Sequence, residues 1–228
     1  MSIVSVRGVV RHYKQGDITV KALDGVDLDL EPGEFTTLMG PSGSGKTTLL
    51  NQIGGLDQPD SGTITIDGTE ISKLSSSQLA DVRLRKLGFV FQSYNLVPVL
   101  SAYENAEFVL LLQGMPAAER KQRVMETLAA VGLQGMEHRR PGELSGGQQQ
   151  RVAVARAIAG RPALVLADEP TANLDSKTSE SLIDLMRSLN SEHGITFLFS
   201  THDPRIMDAA RRVVHMKDGK IVNDEKKA

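Results

Sequence analysis

FTTLMGPSGSGKTT, residues 35–48, is the stretch whose reading decides the fold. Phe35–Met39 reads as a short strand that stops at a glycine, and residues 46–54 read as a helix. Between them Gly40–Thr47 fits the spacing G-x-x-x-x-G-K-[ST]. The chemistry explains the residue types. Glycines at 40, 43 and 45, with Pro41, Ser42 and Ser44 between them, allow a loop tight enough for successive backbone N–H groups to curl around phosphate oxygens. The following helix turns its positive end toward the same anion. Lys46 reaches the terminal phosphates, the Thr47 hydroxyl suits Mg²⁺, and Thr48 continues the set into the helix. The stretch therefore predicts a nucleoside triphosphate site on a strand–loop–helix unit.

Outward from it, residues 3–10 and 20–30 read as strands. TITIDG (63–68) alternates and ends in the turn pair Asp-Gly, residues 75–87 read as a charged helix, and GFVF (88–91) as a short strand. Two helical patterns fill 101–133, broken at Gly114–Pro116. ALVLA (163–167) and ITFLFS (195–200) read as strands buried on both faces, with an amphipathic helix at 176–193 between them. RVVHM (212–216) and KIV (220–222) flank Asp218-Gly219 as a hairpin. Buried strands alternating with helices predict an α/β fold with a mainly parallel sheet core. The interval from about 75 to 160, mostly helical, is expected to form a helical subdomain within one domain, 1–228.

LVLADE, Leu164–Glu169, carries two carboxylates to the C-terminal tip of its strand, the edge where open α/β sheets hold ligands. Asp168 suits the metal shell beside Thr47. Glu169 is then placed as the general base that polarises an attacking water.

LSGGQQQRVAVARA, 144–157, reads as a helix that opens with two poor helix formers. Ser145 and Gln148 fit a capping box, so Gly146 is the expected first helical residue. Side-chain-free glycines leave the first helical N–H groups open to a phosphate. This is a second anion-binding helix start, and one triphosphate already held by residues 40–47 has no need of both. The simplest resolution is a second site that serves a nucleotide held by another copy of the chain.

The 228 residues are 40% hydrophobic and 24% charged with a net charge of −2, the balance of a globular domain with no nucleic-acid surface. The absence of cysteine excludes disulfides and thiolate zinc. No apolar run reaches the roughly 20 residues that span a bilayer, and MSIVSVRGVVRHYK lacks the layout of a signal peptide, so a cytoplasmic chain is expected.

LSGGQ (144–148), with the glycine loop and LVLADE, resembles the signature of ATP-binding cassette (ABC) ATPases over nearly the whole chain. The resemblance implies a P-loop NTPase ABC ATPase fold with an N-terminal antiparallel β-subdomain. It also implies ATP with Mg²⁺, and a head-to-tail homodimer in which the glycine loop of one copy and Ser145, Gly146, Gly147 and Gln148 of the other sandwich the nucleotide. Gln92 resembles the Q-loop glutamine that contacts Mg²⁺ and the attacking water. Asn173-Leu174-Asp175 resembles the interface D-loop, which adds Asp175 to the nucleotide set. His202 in STHD resembles the γ-phosphate switch histidine, and Tyr13 the aromatic that stacks on adenine. Ala172 departs from the glycine of many relatives.

GGLDQPDSG (54–62), Gly88–Met115 and LADEPTANLDS (166–176) are similar to the lipoprotein-releasing (LolD-type) and macrolide-efflux (MacB-type) group. That likeness implies an integral membrane permease partner of the MacB, LolC or LolE kind with four membrane helices. It also implies a place on the cytoplasmic face of the bacterial inner membrane, and export or lipoprotein release driven by ATP. A division-associated ABC ATPase that signals across the membrane is the alternative. SAYENAEFVLLL (101–112) is expected either to line the groove that receives the membrane subunit or to serve as core of the helical subdomain.

Overall fold

The computed structural model describes residues 2–16 and 18–227. Two long strands, β1 (Val4–Gln15) and β2 (Ile18–Leu30), pair antiparallel, and β3 (Phe35–Met39) leads through the glycine loop into α1 (Lys46–Ile53). Strands β4 (Ser61–Ile66) and β5 (Thr69–Glu70) join at Asp67-Gly68, both with positive φ, the two-residue turn that matches strand twist. Helix α2 (Ser76–Lys86), strand β6 (Leu87–Phe91) and helices α3 (Ala102–Leu112), α4 (Ala117–Ala130) and α5 (Gly146–Ala159) follow. Strand β7 (Leu164–Asp168), helix α6 (Ser176–His193), strand β8 (Thr196–Ser200) and helix α7 (Pro204–Ala209) lead to the hairpin β9 (Arg212–Lys217) and β10 (Lys220–Lys226).

The strands form two sheets. A four-stranded antiparallel sheet runs β2-β1-β4-β5, and a six-stranded sheet runs β10-β9-β3-β8-β7-β6. In the latter every pair is parallel except the β9–β10 edge. Alternation along β7 shows why its sequence is wholly apolar. Leu164 and Leu166 face the core shared with the antiparallel sheet and α1, while Val165 and Ala167 face the core under α3–α6. A residue of each kind contributes on the order of 1.5–3 kcal/mol by leaving water, so neither face of this strand tolerates a polar substitution.

Three helix starts follow one device. Ser75 with Gln78, Ser101 with Glu104 and Ser145 with Gln148 each close a capping box. The expected elements are present, with longer N-terminal strands than the alternation marked. Helix α7 was not foreseen, although Asp203 caps it and Pro204 opens it, the pairing that marks a helix start. Inside the interval expected to be helical, β6 pairs with β7, so α2 and β6 belong with the central sheet. Helices α3, α4 and α5 then pack on one another.

Candidate functional site

Because β3, β6, β7 and β8 run parallel, their C-terminal ends open onto one edge of the sheet. A cleft of about 750 Å³ lies there, lined by the run Gly40–Thr48 together with Tyr13, Gln92, Glu169 and His202. Ala172 lines it too, as do three residues not singled out from sequence, Val20, Ala22 and Ser200. Strand register brings two of these in, since Val20 is the cross-strand partner of Tyr13 and Ser200 the register partner of Asp168.

The glycine loop is shaped from outside. A Cβ on Gly40 (φ 155°) would lie 2.1 Å from the Met216 carbonyl oxygen, and one on Gly45 (φ 100°) 2.4 Å from that of Ala22. The β9–β10 turn props the loop, with the Gly219 N–H donating to the Ser44 carbonyl at 3.1 Å. Gly45 starts α1 without any side-chain cap, so the first helical N–H groups stay open toward the cleft. Lys46, largely buried, donates from Nζ to the carbonyls of Gly40 at 2.8 Å and Pro41 at 3.0 Å. Its ammonium is thereby held at the centre of the loop.

The Thr47 hydroxyl lies 3.3 Å from Asp168 Oδ1. Burial pushes the Asp168 carboxyl above the usual aspartate range, opposed by the Thr47 hydroxyl and the Lys46 ammonium. A carboxylate raised in this way gains from a cation, and two oxygen donors suit a hard ion that keeps its remaining positions for water and phosphate. Mg²⁺ fits that donor set. Among the described residues no cluster of three or more His, Cys, Asp or Glu side chains would hold a metal alone.

Glu169 takes a left-handed conformation, φ 46°, that turns the chain off the strand. Its N–H donates to the Ser200 carbonyl at 2.8 Å. One carboxylate oxygen accepts from the Thr201 hydroxyl at 3.0 Å, and the other lies 2.7 Å from His202 Nδ1, which an ionised carboxylate requires to be the N–H nitrogen. The carboxylate is thus aimed by two hydroxyl- or imidazole-bearing neighbours while it faces the cleft. Gln92 is exposed at the cleft wall, and its carbonyl accepts from Asn173 Nδ2 at 3.0 Å. Tyr13 donates its hydroxyl to Asp57 at 2.7 Å and carries the Arg11 guanidinium 4.7 Å from its ring centre. The guanidinium covers one face of the ring, and the ring lines the cleft.

The signature segment and Asp175 are not among the residues that line this cleft. Ser145 accepts the Gln148 N–H at 3.3 Å and Gln148 Oε1 accepts the Ser145 N–H at 2.9 Å. The two glycines also answer to packing within the chain, which the sequence did not reveal. A Cβ on Gly147 would lie 2.3 Å from Thr178 Cγ2, and one on Gly146 2.9 Å from the Tyr94 hydroxyl. Asp175 caps α6, accepting the Thr178 N–H at 3.0 Å and its hydroxyl at 2.6 Å. Those bonds hold its carboxyl below the usual range. The structure therefore gathers the glycine loop, Asp168, Glu169, Gln92, His202 and Tyr13, and holds Ser145–Gln148 and Asp175 apart.

The family described as ABC transporter matches residues 23–172. An uncharacterized ABC transporter ATP-binding protein of Thermotoga maritima is 47% identical over 225 residues, which covers 99% of this chain and 96% of that one. The macrolide export ATP-binding/permease protein MacB of Mannheimia succiniciproducens is 44% identical and spans all of this chain, but only 35% of its own length is matched. The solved dimer of the ATP-binding cassette MJ0796, of Methanocaldococcus jannaschii, bound to ADP and Pi, superposes with a TM-score of 0.90 at 43% identity and 99% coverage of both chains. This chain belongs to the ABC transporter family, as its ATP-hydrolysing cassette.

Proposed function

We propose that the chain works as a homodimer whose ATP sites are shared. Triphosphate bound on Gly40–Thr48 of one copy is closed over by Ser145, Gly146, Gly147 and Gln148 of the other, with Asp175 at the interface. The observation that carries this reading is the helix start at Gly146. Its capping box uses the N–H groups of Ser145 and Gln148, and the amides of Gly146 and Gly147 between them find no acceptor among the described residues. They do not line the chain's own cleft. The MJ0796 structure, a dimer bound to ADP and Pi, supports it.

Within each cleft the roles follow from geometry. Tyr13 offers its ring to adenine. The loop amides and Lys46 take the phosphate charge. Thr47, Asp168 and Gln92 would hold Mg²⁺, which would supply positive charge against the charge developing on the phosphates. Glu169 takes a proton from the attacking water, and His202 steadies that carboxylate and meets the terminal phosphate. The chain acts as one nucleotide-binding domain, 1–228, whose helical subdomain is the group α3–α5 within the expected interval of about 75–160, and α5 carries the signature. Among the described residues no helix is long and apolar enough to cross a membrane. The likeness to permease-bearing relatives supports a cassette that sits on the cytoplasmic face of the membrane through an integral permease of the MacB, LolC or LolE kind. The relatives named macrolide export ATP-binding/permease protein MacB support export as the work driven, and release of a lipoprotein rests on the sequence resemblance alone.

Glu169→Gln tests the shared site. The variant keeps every phosphate and metal contact but has no base, so ATP with Mg²⁺ should convert it to a stable dimer by light scattering. A variant that binds ATP and remains monomeric overturns the reading.

A further inference from the structure

Gln150 lies on α5, four residues past the helix start at Gly146, and is fully buried. Its side-chain amide donates to the Pro170 carbonyl at 2.7 Å and to the Phe91 carbonyl at 3.3 Å. Pro170 directly follows Glu169, and Phe91 directly precedes Gln92. Both neighbours are acceptors, so only the NH₂ end of the amide fits them and its orientation is fixed. The amide oxygen has no partner among the described residues. A buried acceptor left unpaired is unfavourable, a cost that an apolar methionine of similar length would not carry, and what the glutamine supplies in return is its two bonds to Pro170 and Phe91. Packing alone therefore does not account for a glutamine here.

The same helix holds the same segment further along. Arg156 donates to the Tyr94 carbonyl at 2.9 Å and to the Asn95 carbonyl, and these two residues stand in left-handed conformations at φ 48° and 51°. The Tyr94 hydroxyl rests against Gly146. Helix α5 thus carries the chain from Phe91 to Asn95 on its side, and begins at the signature.

We propose that Gln150 is a positioning residue. It tethers the loops bearing Gln92 and Glu169 to the signature helix, so that engagement of the helix start by a nucleotide on another copy is carried to this copy's own catalytic loops. The inference rests on the shared-site reading above. It adds that the two sites of a dimer answer to one another through this amide. A phosphate drawn to Gly146 and Gly147 biases α5. The Pro170 and Phe91 carbonyls follow, and the carboxylate and the glutamine move together relative to the glycine loop.

Gln150→Met and Gln150→Glu test it. For Gln150→Met, ATP affinity of the single chain should stay within about twofold of wild type. The maximal hydrolysis rate should fall by about tenfold or more while KM changes less than about twofold, the pattern of an interaction needed in the reacting state and not for binding. The dependence on ATP concentration should lose its cooperativity. The double variant Gln150→Met/Glu169→Gln should still dimerise with ATP as Glu169→Gln does. Gln150→Glu places an acceptor against two carbonyls, and it should be slow at neutral pH and recover as the pH is lowered and its carboxyl regains a proton to donate to Pro170. Cooperative hydrolysis at the wild-type rate in Gln150→Met overturns the inference, as does a loss that tracks ATP affinity. Should Gln150→Met not fold, the pH profile of Gln150→Glu decides, and a profile parallel to wild type overturns it. Failure of Glu169→Gln alone to dimerise strikes the shared-site reading instead.

Discussion

Two helices of this chain begin on glycine-bearing loops, and they are built in opposite ways. Helix α1 starts at Gly45 with φ 100° and no side-chain cap, its loop pressed into shape by the carbonyls of Met216 and Ala22. Helix α5 starts at Ser145 with a closed capping box, its glycines pressed by the side chains of Thr178 and Tyr94. The first is a cradle that is complete within one chain and opens on that chain's cleft. The second is capped and packed by its own chain, with two amides left over and no cleft beside them. The difference teaches that glycine at a helix start answers two separate demands, room for a ligand and room for a neighbour. Only the surrounding contacts tell which demand dominates.

The sharpest way to break the contrast is to fill each start in turn. Ser145→Arg puts a large cation at a helix start that does not line the chain's own cleft. Hydrolysis should fall by about 100-fold or more, the loss that follows removal of preorganised donors at a reacting phosphate. ATP affinity of the single chain should stay within about twofold. Weakened binding by the monomer would show that the second start belongs to the same cleft as the first. Lys46→Ala should do the reverse. It removes the charged donor now held on Gly40 and Pro41, worth about 1.5–3 kcal/mol against an anion, so equilibrium titration should show ATP binding about 10- to 100-fold weaker.

Much of this architecture was legible because local chemistry repeats. The glycine loop fixed a strand before it and a helix after it. Ser145 with Gln148 announced a capping box that is present. The alternation of β7 between two cores, however, looks from sequence only like an apolar run, since a strand covered on both sides has no polar face to betray its period. The meeting of Gln92 and His202 with Glu169 was implied by likeness alone, because it depends on the parallel order of β6, β7 and β8, which no local signal states. Gln150 was invisible for the same reason. A glutamine in a polar run, QQQR, gives no hint that it alone is fully buried against two distant carbonyls.

Gly147 separates the two demands within one residue. Gly147→Ala brings a methyl group within 2.3 Å of Thr178 Cγ2, an overpacking that costs about 1–3 kcal/mol and so lowers Tm by several degrees. Thr178→Ser deletes the offending methyl and keeps a hydroxyl for Asp175. In the double variant Tm should return to within about a degree of Thr178→Ser alone. If hydrolysis returns with it, the glycine is there for Thr178. If the fold recovers and hydrolysis does not, the methyl group is obstructing an incoming phosphate, and the contrast between the two helix starts narrows.

The smallest effect belongs to the cradle side and is read in pH. Burial raises the Asp168 carboxyl above its unfolded value, so the folded chain favours the protonated form. The sign follows: this contribution to stability is whole below the ordinary aspartate range and is lost as pH rises through the raised value. Asp203, Asp224 and Asp29, with the other lowered carboxyls, act the other way, so the Asp168 share must be taken by difference. Asp168→Asn should therefore gain Tm relative to wild type as pH climbs from about 4 toward neutrality, by a few degrees at most. Nucleotide with Mg²⁺ should invert that order, since a cation beside Thr47 favours the ionised carboxylate and the asparagine cannot supply it. A variant less stable than wild type without nucleotide at neutral pH would mean that the carboxylate is already compensated by Lys46 and Thr47. The cradle would then be complete in charge as well as in shape before any ligand arrives.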